Sequence, residues 1–202
     1  PDEIALLSDC VQEFGGRLTQ RRCPDGSLRA YEANIALFDA CRGTVDGEDE
    51  WQIERFLVSQ ALMMAFAGVP ALYYNSVLAA PNDLDGMAET GRHRNINRKK
   101  WTTEAIEARL QDSAGSPARV LCALQDLLSV RRNQSAFHPE APQQCIAVDP
   151  RVFVLVRHSS TDDQRLVCVF NLSREEVDLD TATLNVAEDH RLHEHIVLGT
   201  VE

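Results

Sequence analysis

The sequence has few aromatic residues and an excess of acidic over basic side chains. Phe, Trp and Tyr make up 6% of the 202 residues, so the composition does not suggest a surface on which nucleic-acid bases stack. Twenty Lys and Arg stand against 31 Asp and Glu, which gives a formal net charge of -11. Because such a chain repels phosphate backbones and anionic lipid head groups, we expect neither nucleic acid nor a membrane as its main partner.

The sequence also has no long apolar run. No stretch reaches 18 apolar residues, and no basic segment followed by an apolar one opens the chain. We therefore expect a soluble, cytoplasmic protein. The first residue is Pro1 and not Met, which indicates a chain that is processed, trimmed or part of a longer polypeptide.

The six cysteines form no recognisable pattern, since no two of them lie within ten residues of each other. A chain of this length does not resemble a disulfide-stapled mini-protein, so we expect free thiols. His190, His193 and His195 form an H-x-x-H-x-H cluster, and on a strand the last two would share a face, as metal binding requires. Because no Cys or carboxylate completes a zinc template, we favour an exposed polar strand face and expect neither metal nor cofactor.

Hydrophobic periodicity predicts three helices, and residues 103–112 look like a short fourth one. They cover residues 2–14, 51–68, 103–112 and 117–132. The tripeptide Pro24-Asp25-Gly26 predicts a turn, since Pro presets φ, Asp caps and Gly accepts a positive φ. Residues 31–42 are short and mixed, which suggests a turn of helix near a site.

The helix over 51–68 is followed by VPALYYNSVLAA (69–80), a continuous apolar segment that predicts a short buried strand. A buried helix with a buried short strand is typical of an α/β protein with a parallel sheet. Residues 81–103 are polar and predict a long functional loop. Four β-rich runs follow, and they predict an antiparallel module: RVFVLVRHS, QRLVCVFNLS, EVDLD and RLHEHIVLG.

The fold class that we predict is α/β. A single parallel strand leaves both of its edges unpaired, so one βα unit does not make a sheet. Residues 1–140 are therefore interpreted as the tail of a larger α/β domain. Residues 141–202 are interpreted as a small antiparallel all-β domain.

Three segments together resemble the C-terminal part of the sucrose phosphorylase group of the α-amylase superfamily (glycoside hydrolase family 13). They are PDGSLRAYEANIALFDA (24–40), FLVSQALMMAFAGVPALYYNSVLAAPNDLDG (56–86) and GRHRNINRKKW (91–101). AFHPEAP (136–142) and the β module also fit that group. The resemblance implies the C-terminal portion of a (β/α)8 TIM barrel, followed by a small β domain, with the N-terminal part of the barrel missing.

The resemblance implies a retaining α-glucoside phosphorylase. Such an enzyme moves a glucosyl group reversibly between a small glucoside and phosphate, through a carboxylate nucleophile and a second carboxyl group that acts as acid and then base. In the family these acids precede the part that this chain resembles, so the chain alone carries no catalytic residue and we expect it to be inactive. The pairs Asp83/Asp85 and Asp178/Asp180 are interpreted as solvated acids.

Four residues match substrate-binding positions of the family. Arg94 and Arg98 begin and end the R-x-I-N-R core, where an arginine would bind hydroxyls of the glucosyl unit; alternatively, both hold the loop through backbone carbonyls. Tyr31 and Glu32 match the acceptor loop, where the phenol would bind phosphate or sugar and the carboxylate would accept from sugar hydroxyls. Glu32 replaces the glutamine of sucrose-specific members, which favours a glucosylglycerate-like substrate. Asn34 and Asp39 are interpreted as structural.

Two other functions remain open at this point. In the first alternative, the chain is a non-catalytic sugar-binding module that completes a barrel supplied by another polypeptide. A third possibility is a fragment of an α-glucosidase or glucosyltransferase of the same superfamily, which differs in whether water, phosphate or a sugar attacks the intermediate.

Overall fold

The structure is a computed structural model that describes residues 2–161, 164–180 and 182–184. The chain divides into two compact units. The first comprises Pro1–Phe56 and Leu72–Ala123, and the second comprises Leu57–Ala71 and Leu124–Glu202. The domain boundary at residues 140 and 141 that the sequence suggests stays a prediction.

The helices and strands of the described residues follow one another in a mixed order. They are α1 (Asp2–Glu13), β1 (Arg17–Arg22), β2 (Leu28–Asn34), α2 (Leu37–Ala40), β3 (Gly43–Thr44), β4 (Gly47–Glu48), α3 (Gln52–Ala65), α4 (Tyr74–Val77), α5 (Leu84–Thr90), a 3-10 helix (His93–Asn97), α6 (Thr103–Gln111), α7 (Ser116–Arg132), a second 3-10 helix (Ser135–Phe137), β5 (Gln143–Asp149), β6 (Val152–His158) and β7 (Arg165–Asn171). The strands form two hairpins, β1-β2 and β3-β4, and a three-stranded sheet in the order β5-β6-β7.

The four predicted helices are confirmed as α1, α3, α6 and α7. α1 ends ahead of Gly15, whose φ of 80° lies in the left-handed region that glycine adopts without strain. α3 buries Phe56 and Gln60 on the predicted face. α6 begins after Thr102, whose hydroxyl accepts a hydrogen bond from the amide of Ala105.

The turn at residues 24–26 is confirmed, and the polar residues on both sides of it are strands that hydrophobic periodicity does not predict. Asp25 accepts hydrogen bonds from the amide and hydroxyl of Ser27, and Gly26 has a φ of 82°. β1 and β2 pair antiparallel around this turn. The predicted turn of helix within residues 31–42 is α2, which follows β2.

The predicted buried strand over residues 69–80 is wrong. Its first residues have no regular structure, α4 occupies Tyr74–Val77, and Val69 is 81% exposed. Every strand pairing among the described residues is antiparallel. A parallel strand needs neighbouring strands to which its backbone can hydrogen-bond. Because no described strand pairs with this segment, its carbonyls and amides form a helical turn instead.

The prediction of a long irregular loop over residues 81–103 is also wrong, because α5 and the first 3-10 helix lie within it. Asp83 caps α5 by accepting a hydrogen bond from the amide of Gly86. Gly91 ends the helix in the left-handed conformation, with a φ of 64°. The cap and the glycine are local signals for a helix, and they outweigh the polar composition that favours a loop.

Apolar burial occurs in each of the two units separately. In the first unit, the rings of Phe38 and Phe56 meet edge to face with centroids 5.6 Å apart. In the second unit, Val154, Leu155 and Val156 of the central strand β6 are at most 1% exposed. The alternation expected of a one-sided sheet is therefore absent from β6, which is covered on both faces.

The antiparallel module is confirmed for its first two runs, which contribute to β6 and β7. The run EVDLD (176–180) is not a strand, although Val177 and Leu179 pack against the apolar cluster around Val154. RLHEHIVLG (191–199) and the cluster of His190, His193 and His195 lie outside the described residues.

β6 also carries a fully buried arginine. Arg157 is 0% exposed, and its guanidinium donates to the carbonyls of Ala65 at 2.7 Å, His138 at 2.8 Å and Ala141 at 3.3 Å. Ala65 is the last residue of α3, where backbone carbonyls have no partner within the helix. Arg131 acts on the same helix end by donating to the carbonyl of Met64, and it also donates to the carbonyl of Gly68 at 2.7 Å. Two positive charges therefore close the C-terminal end of α3.

The turn between β5 and β6 contains a titratable pair whose behaviour is predictable. Hydrogen bonds from the side chain and then the backbone of Arg151 lower the pKa of Asp149 from 3.8 to about 2. A carboxyl with a lowered folded-state pKa stabilises the turn above about pH 4, and this contribution is lost as the pH falls towards 2. We expect a carboxyl-detected NMR titration to give a midpoint near 2 for Asp149 and a higher one in Arg151→Gln. A midpoint that the substitution leaves unchanged would contradict this.

Candidate functional site

The hairpin of β1 and β2 contains a β-bulge. Thr19 pairs with Glu32 and Gln20 pairs with Ala30, so Tyr31 is an extra residue on β2. A bulge of this kind bends the strand and re-aims the side chain that it carries, and such bulges are enriched next to functional sites. The extra residue of the bulge is therefore Tyr31, one of the two acceptor-loop residues that the sequence singles out, and Glu32, the other, directly follows it.

One face of this hairpin carries Glu32 together with two arginines. Arg21 lies directly opposite Arg29, and it lies two residues from Thr19 on β1, so Thr19 and Arg21 share a face. Because Thr19 pairs with Glu32, the same face includes Glu32. We call the set Thr19, Arg21, Arg29 and Glu32 the hairpin face.

Tyr31 lies against the hairpin face through its ring. The guanidinium carbon of Arg21 is 5.4 Å from the centroid of that ring, within the range of a cation–π attraction. Tyr31 is nevertheless 59% exposed, and its hydroxyl has no hydrogen-bond partner among the described residues. The ring positions Arg21 while the hydroxyl is available to a ligand.

Glu32 is held from the other side by Arg94. Nε of Arg94 lies 2.9 Å from one carboxylate oxygen of Glu32 and 3.1 Å from the other. The hydrogen bond that Arg94 donates to Glu32, followed by the negative charge of that carboxylate, raises the pKa of the Arg94 guanidinium. The pair joins β2 to the first 3-10 helix, and it orients the Glu32 carboxylate without removing it from solvent.

A buried amide fixes the segment that follows this 3-10 helix. Asn75 is 4% exposed; it donates to the carbonyl of Lys99 at 3.1 Å and accepts from the indole N–H of Trp101 at 2.7 Å. The hydroxyl of Tyr73 donates to the carbonyl of Asn97 at 3.2 Å. Residues 97–101 are therefore anchored to α4, and Tyr73, Asn75, Asn97 and Lys99 also line a cavity of about 110 Å³.

Arg98 belongs to this anchored segment, but its side chain is exposed and lines a different cavity of about 270 Å³. That cavity carries side chains of both charges: Asp83, Asp85, Glu89, Lys99 and Lys100. Carboxylates and cations together suit a ligand rich in hydroxyl groups. Within the described residues, the guanidinium of Arg98 forms no hydrogen bond or ion pair, so nothing there supports the alternative in which it holds the loop through carbonyls.

The structure thus brings three of the four predicted residues together and leaves the fourth apart. Tyr31, Glu32 and Arg94 meet at the hairpin, whereas the cavity of Arg98 is lined by none of them. Sequence reasoning missed Arg21 and Arg29. Had the hairpin around the Pro-Asp-Gly turn been recognised, pairing its two strands would have placed both arginines on one face.

Asn34 and Asp39 behave as the structural residues that the sequence suggests. Asn34 is 2% exposed and donates to the hydroxyl of Thr19 at 3.0 Å. Asp39 is 3% exposed, accepts from the amide of Asn82 at 2.7 Å and pairs with Arg42 at 2.9 Å. Both support the hairpin and the loop that follows it.

All six cysteines are free, as expected. Burial raises the pKa of the Cys41 thiol to about 11, which makes it a poor nucleophile. Among the residues that the structure describes, no group of three or more His, Cys, Asp or Glu side chains is placed to hold a metal ion. In the same residues, no helix combines the length and the apolar composition that crossing a membrane requires.

Comparison with known proteins finds relatives along most of the chain. The glucosylglycerate phosphorylase of Allomeiothermus silvanus is 36% identical over 174 residues, which are 86% of this chain and 31% of the relative. That of Escherichia coli is 33% identical over 85% of this chain and 30% of the relative. The sucrose phosphorylase of Streptococcus mutans is 24% identical over 93% of this chain and 35% of the relative. No protein-family model matches.

A solved structure has a similar fold. The sucrose 6F-phosphate phosphorylase from Thermoanaerobacter thermosaccharolyticum superposes with a TM-score of 0.66 over 82% of this chain and 31% of that structure, at 21% sequence identity. The chain therefore spans about a third of the length of the curated relatives and of the solved structure that it matches.

Proposed function

The chain belongs to the group of glucosylglycerate and sucrose phosphorylases, and from that premise we propose that it forms part of a retaining α-glucoside phosphorylase. The enzyme transfers a glucosyl group reversibly between a small glucoside and phosphate, giving glucose 1-phosphate. The observation that carries the proposal is the match of 85–86% of the chain to two glucosylglycerate phosphorylases at 33–36% identity. Glucosylglycerate or a similar glucoside is the proposed substrate.

The proposed reaction has two displacement steps at the anomeric carbon. A carboxylate attacks that carbon while a carboxylic acid protonates the departing acceptor oxygen; phosphate then attacks the glucosyl-enzyme ester, which frees the carboxylate and restores the configuration. These two acids stand about 5 Å apart in retaining enzymes. We assign both to polypeptide outside this 202-residue chain, in the remaining two thirds that the relatives possess.

This chain supplies the substrate-binding surroundings of that reaction. Tyr31 and Glu32 line the acceptor side, where the exposed phenol and the carboxylate bind hydroxyl or phosphate oxygens. Arg94 keeps the Glu32 carboxylate oriented, and Arg98 binds the glucosyl unit. In the complete enzyme, residues 1–140 form the last part of a (β/α)8 barrel, and residues 141–202 form its small β domain. We place the enzyme in the cytoplasm, with a glucoside and phosphate as its ligands.

The proposal predicts a difference between the 202-residue chain and the complete gene product. Incubated with glucosylglycerate or sucrose and phosphate, the chain alone should form no glucose 1-phosphate, because the two acids are absent. The complete gene product should form it with at least one of these glucosides, as measured by a coupled glucose 1-phosphate assay. Turnover by the chain alone contradicts the assignment of the acids, and inactivity of both preparations contradicts the proposed function.

A further inference from the structure

We propose that Arg21 and Arg29 bind the carboxylate of an anionic acceptor, and so select glucosides of a hydroxy acid over glucosides of a neutral polyol. The inference rests on the proposed function, because it names the acceptor class of that same site. The first observation behind it is a pair of like charges that destabilises the hairpin. The two arginines lie directly opposite each other across β1 and β2, where like charges destabilise a strand pair.

Neither charge is neutralised by the hairpin. Within the described residues, Arg21 and Arg29 form no ion pair, and both are exposed. The two carboxylates of the hairpin are engaged elsewhere, since Asp25 accepts from Ser27 and Glu32 binds Arg94. The cation–π contact with Tyr31 holds Arg21 without neutralising its charge, and Arg29 has no such contact among the described residues. A position that breaks a local rule in this way is typical of a binding site.

The arginines also lie at the acceptor side of the site. Arg21 stacks on the ring of Tyr31, and Arg29 shares the hairpin face with Glu32. Two neighbouring guanidinium forks match the planar, two-oxygen geometry of a carboxylate. The Glu32 carboxylate accepts hydrogen bonds from hydroxyl groups but repels anions, whereas the two arginines attract anions. An acceptor that has both a hydroxyl group and a carboxylate therefore fits Glu32 and the arginines together.

The charge distribution of the chain agrees with this assignment. Residues 17–34 and 91–100 carry nine of the 20 Lys and Arg but only two of the 31 Asp and Glu. The pairing of Glu32 with Arg94 connects these two segments. In a chain with a net charge of -11, this is a local positive surface that attracts small anions.

The test measures discrimination in the complete gene product. For wild type and for Arg21→Gln/Arg29→Gln, kcat/KM is determined with the α-glucosides of glycerate and of glycerol, at several phosphate concentrations. The ratio of the two kcat/KM values should fall roughly 10- to 100-fold in the double variant, as expected when hydrogen bonds to a charged group are lost. Arg22→Gln is the matched control, because it removes the same charge from the other face of β1 and should preserve the ratio.

Two outcomes overturn the inference while the phosphorylase itself stands. One is a ratio that the double variant leaves unchanged. The other is a higher KM for phosphate with both glucosides at a constant ratio, which would assign the pair to the phosphate co-substrate instead of the acceptor.

A binding experiment separates failure of this inference from failure of the proposed function. The Nε–H resonances of the arginines in the complete gene product are followed by NMR during titration with glycerate and, separately, with glycerol. Saturable shifts with glycerate that disappear in Arg21→Gln/Arg29→Gln support the inference even if no phosphorolysis is found. Equal shifts with glycerol, or no shifts with glycerate, overturn it.

Discussion

Replacing Arg157 by leucine is expected to lower the free energy of unfolding by about 3 to 5 kcal/mol. The leucine fills much of the same space but leaves the carbonyls of Ala65 and Ala141 without the guanidinium that binds them, while the carbonyl of His138 keeps only its hydrogen bond from the amide of Ala141. Such buried acceptors lose their hydration on folding and recover nothing in return. Urea unfolding followed by circular dichroism measures the effect, with the slope of the transition checked for two-state behaviour.

The matched control for this prediction is Arg132→Gln. Arg132 is an arginine of the same unit, near the C-terminal end of α7, but its side chain is exposed. Its substitution should change the free energy of unfolding by no more than about 0.5 kcal/mol. If Arg157→Leu and Arg132→Gln unfold at the same urea concentration, the hydrogen bonds of Arg157 do not stabilise the second unit.

Replacing Asn75 by leucine is expected to cost about 2 to 4 kcal/mol and to release the segment that contains Arg98. The substitution removes the acceptor of the Trp101 indole and the donor to the Lys99 carbonyl, both of which are well-formed hydrogen bonds to a buried side chain. We expect hydrogen exchange of the Trp101 indole N–H, observed by NMR, to become at least tenfold faster, since about 1.4 kcal/mol in local opening corresponds to a factor of ten.

Two controls accompany this experiment. Trp51 is 44% exposed and provides an internal reference, because its indole exchange should be the same in wild type and variant. Ser76→Ala changes the neighbouring residue of α4, which forms no side-chain hydrogen bond among the described residues, and should leave Trp101 protected. Slow exchange of Trp101 in Asn75→Leu would show that Lys99 and Arg109, which flank its ring, suffice to hold it.

Those parts of the fold that depend on local sequence were predictable. The helices α1, α3 and α7 each carry an apolar stripe with helical spacing over twelve or more residues. The turn at Pro24-Asp25-Gly26 follows from the backbone preferences of three residues. The caps at Asp83 and Gly91 belong to the same class of signal, and attention to them would have predicted α5.

The parts that depend on distant neighbours were not predictable from these patterns. An apolar run such as residues 69–80 fits a buried strand or a buried helix equally well, and the choice depends on whether strands are available to pair with it. Tyr31, Glu32 and Arg94 were identified by resemblance, but their meeting follows from an ion pair between residues 62 positions apart. Arg21 and Arg29 required the strand register, which the bulge at Tyr31 determines.

The bulge has a consequence for how such a site evolves. Because Tyr31 has no partner on β1, deleting one residue there would restore a regular ladder while Thr19 still pairs with Glu32 and Arg21 still pairs with Arg29. Elsewhere in the hairpin, a deletion would turn every later side chain to the opposite surface. Ligand preference can therefore change at this point through a gain or loss in chain length, with the surrounding scaffold conserved.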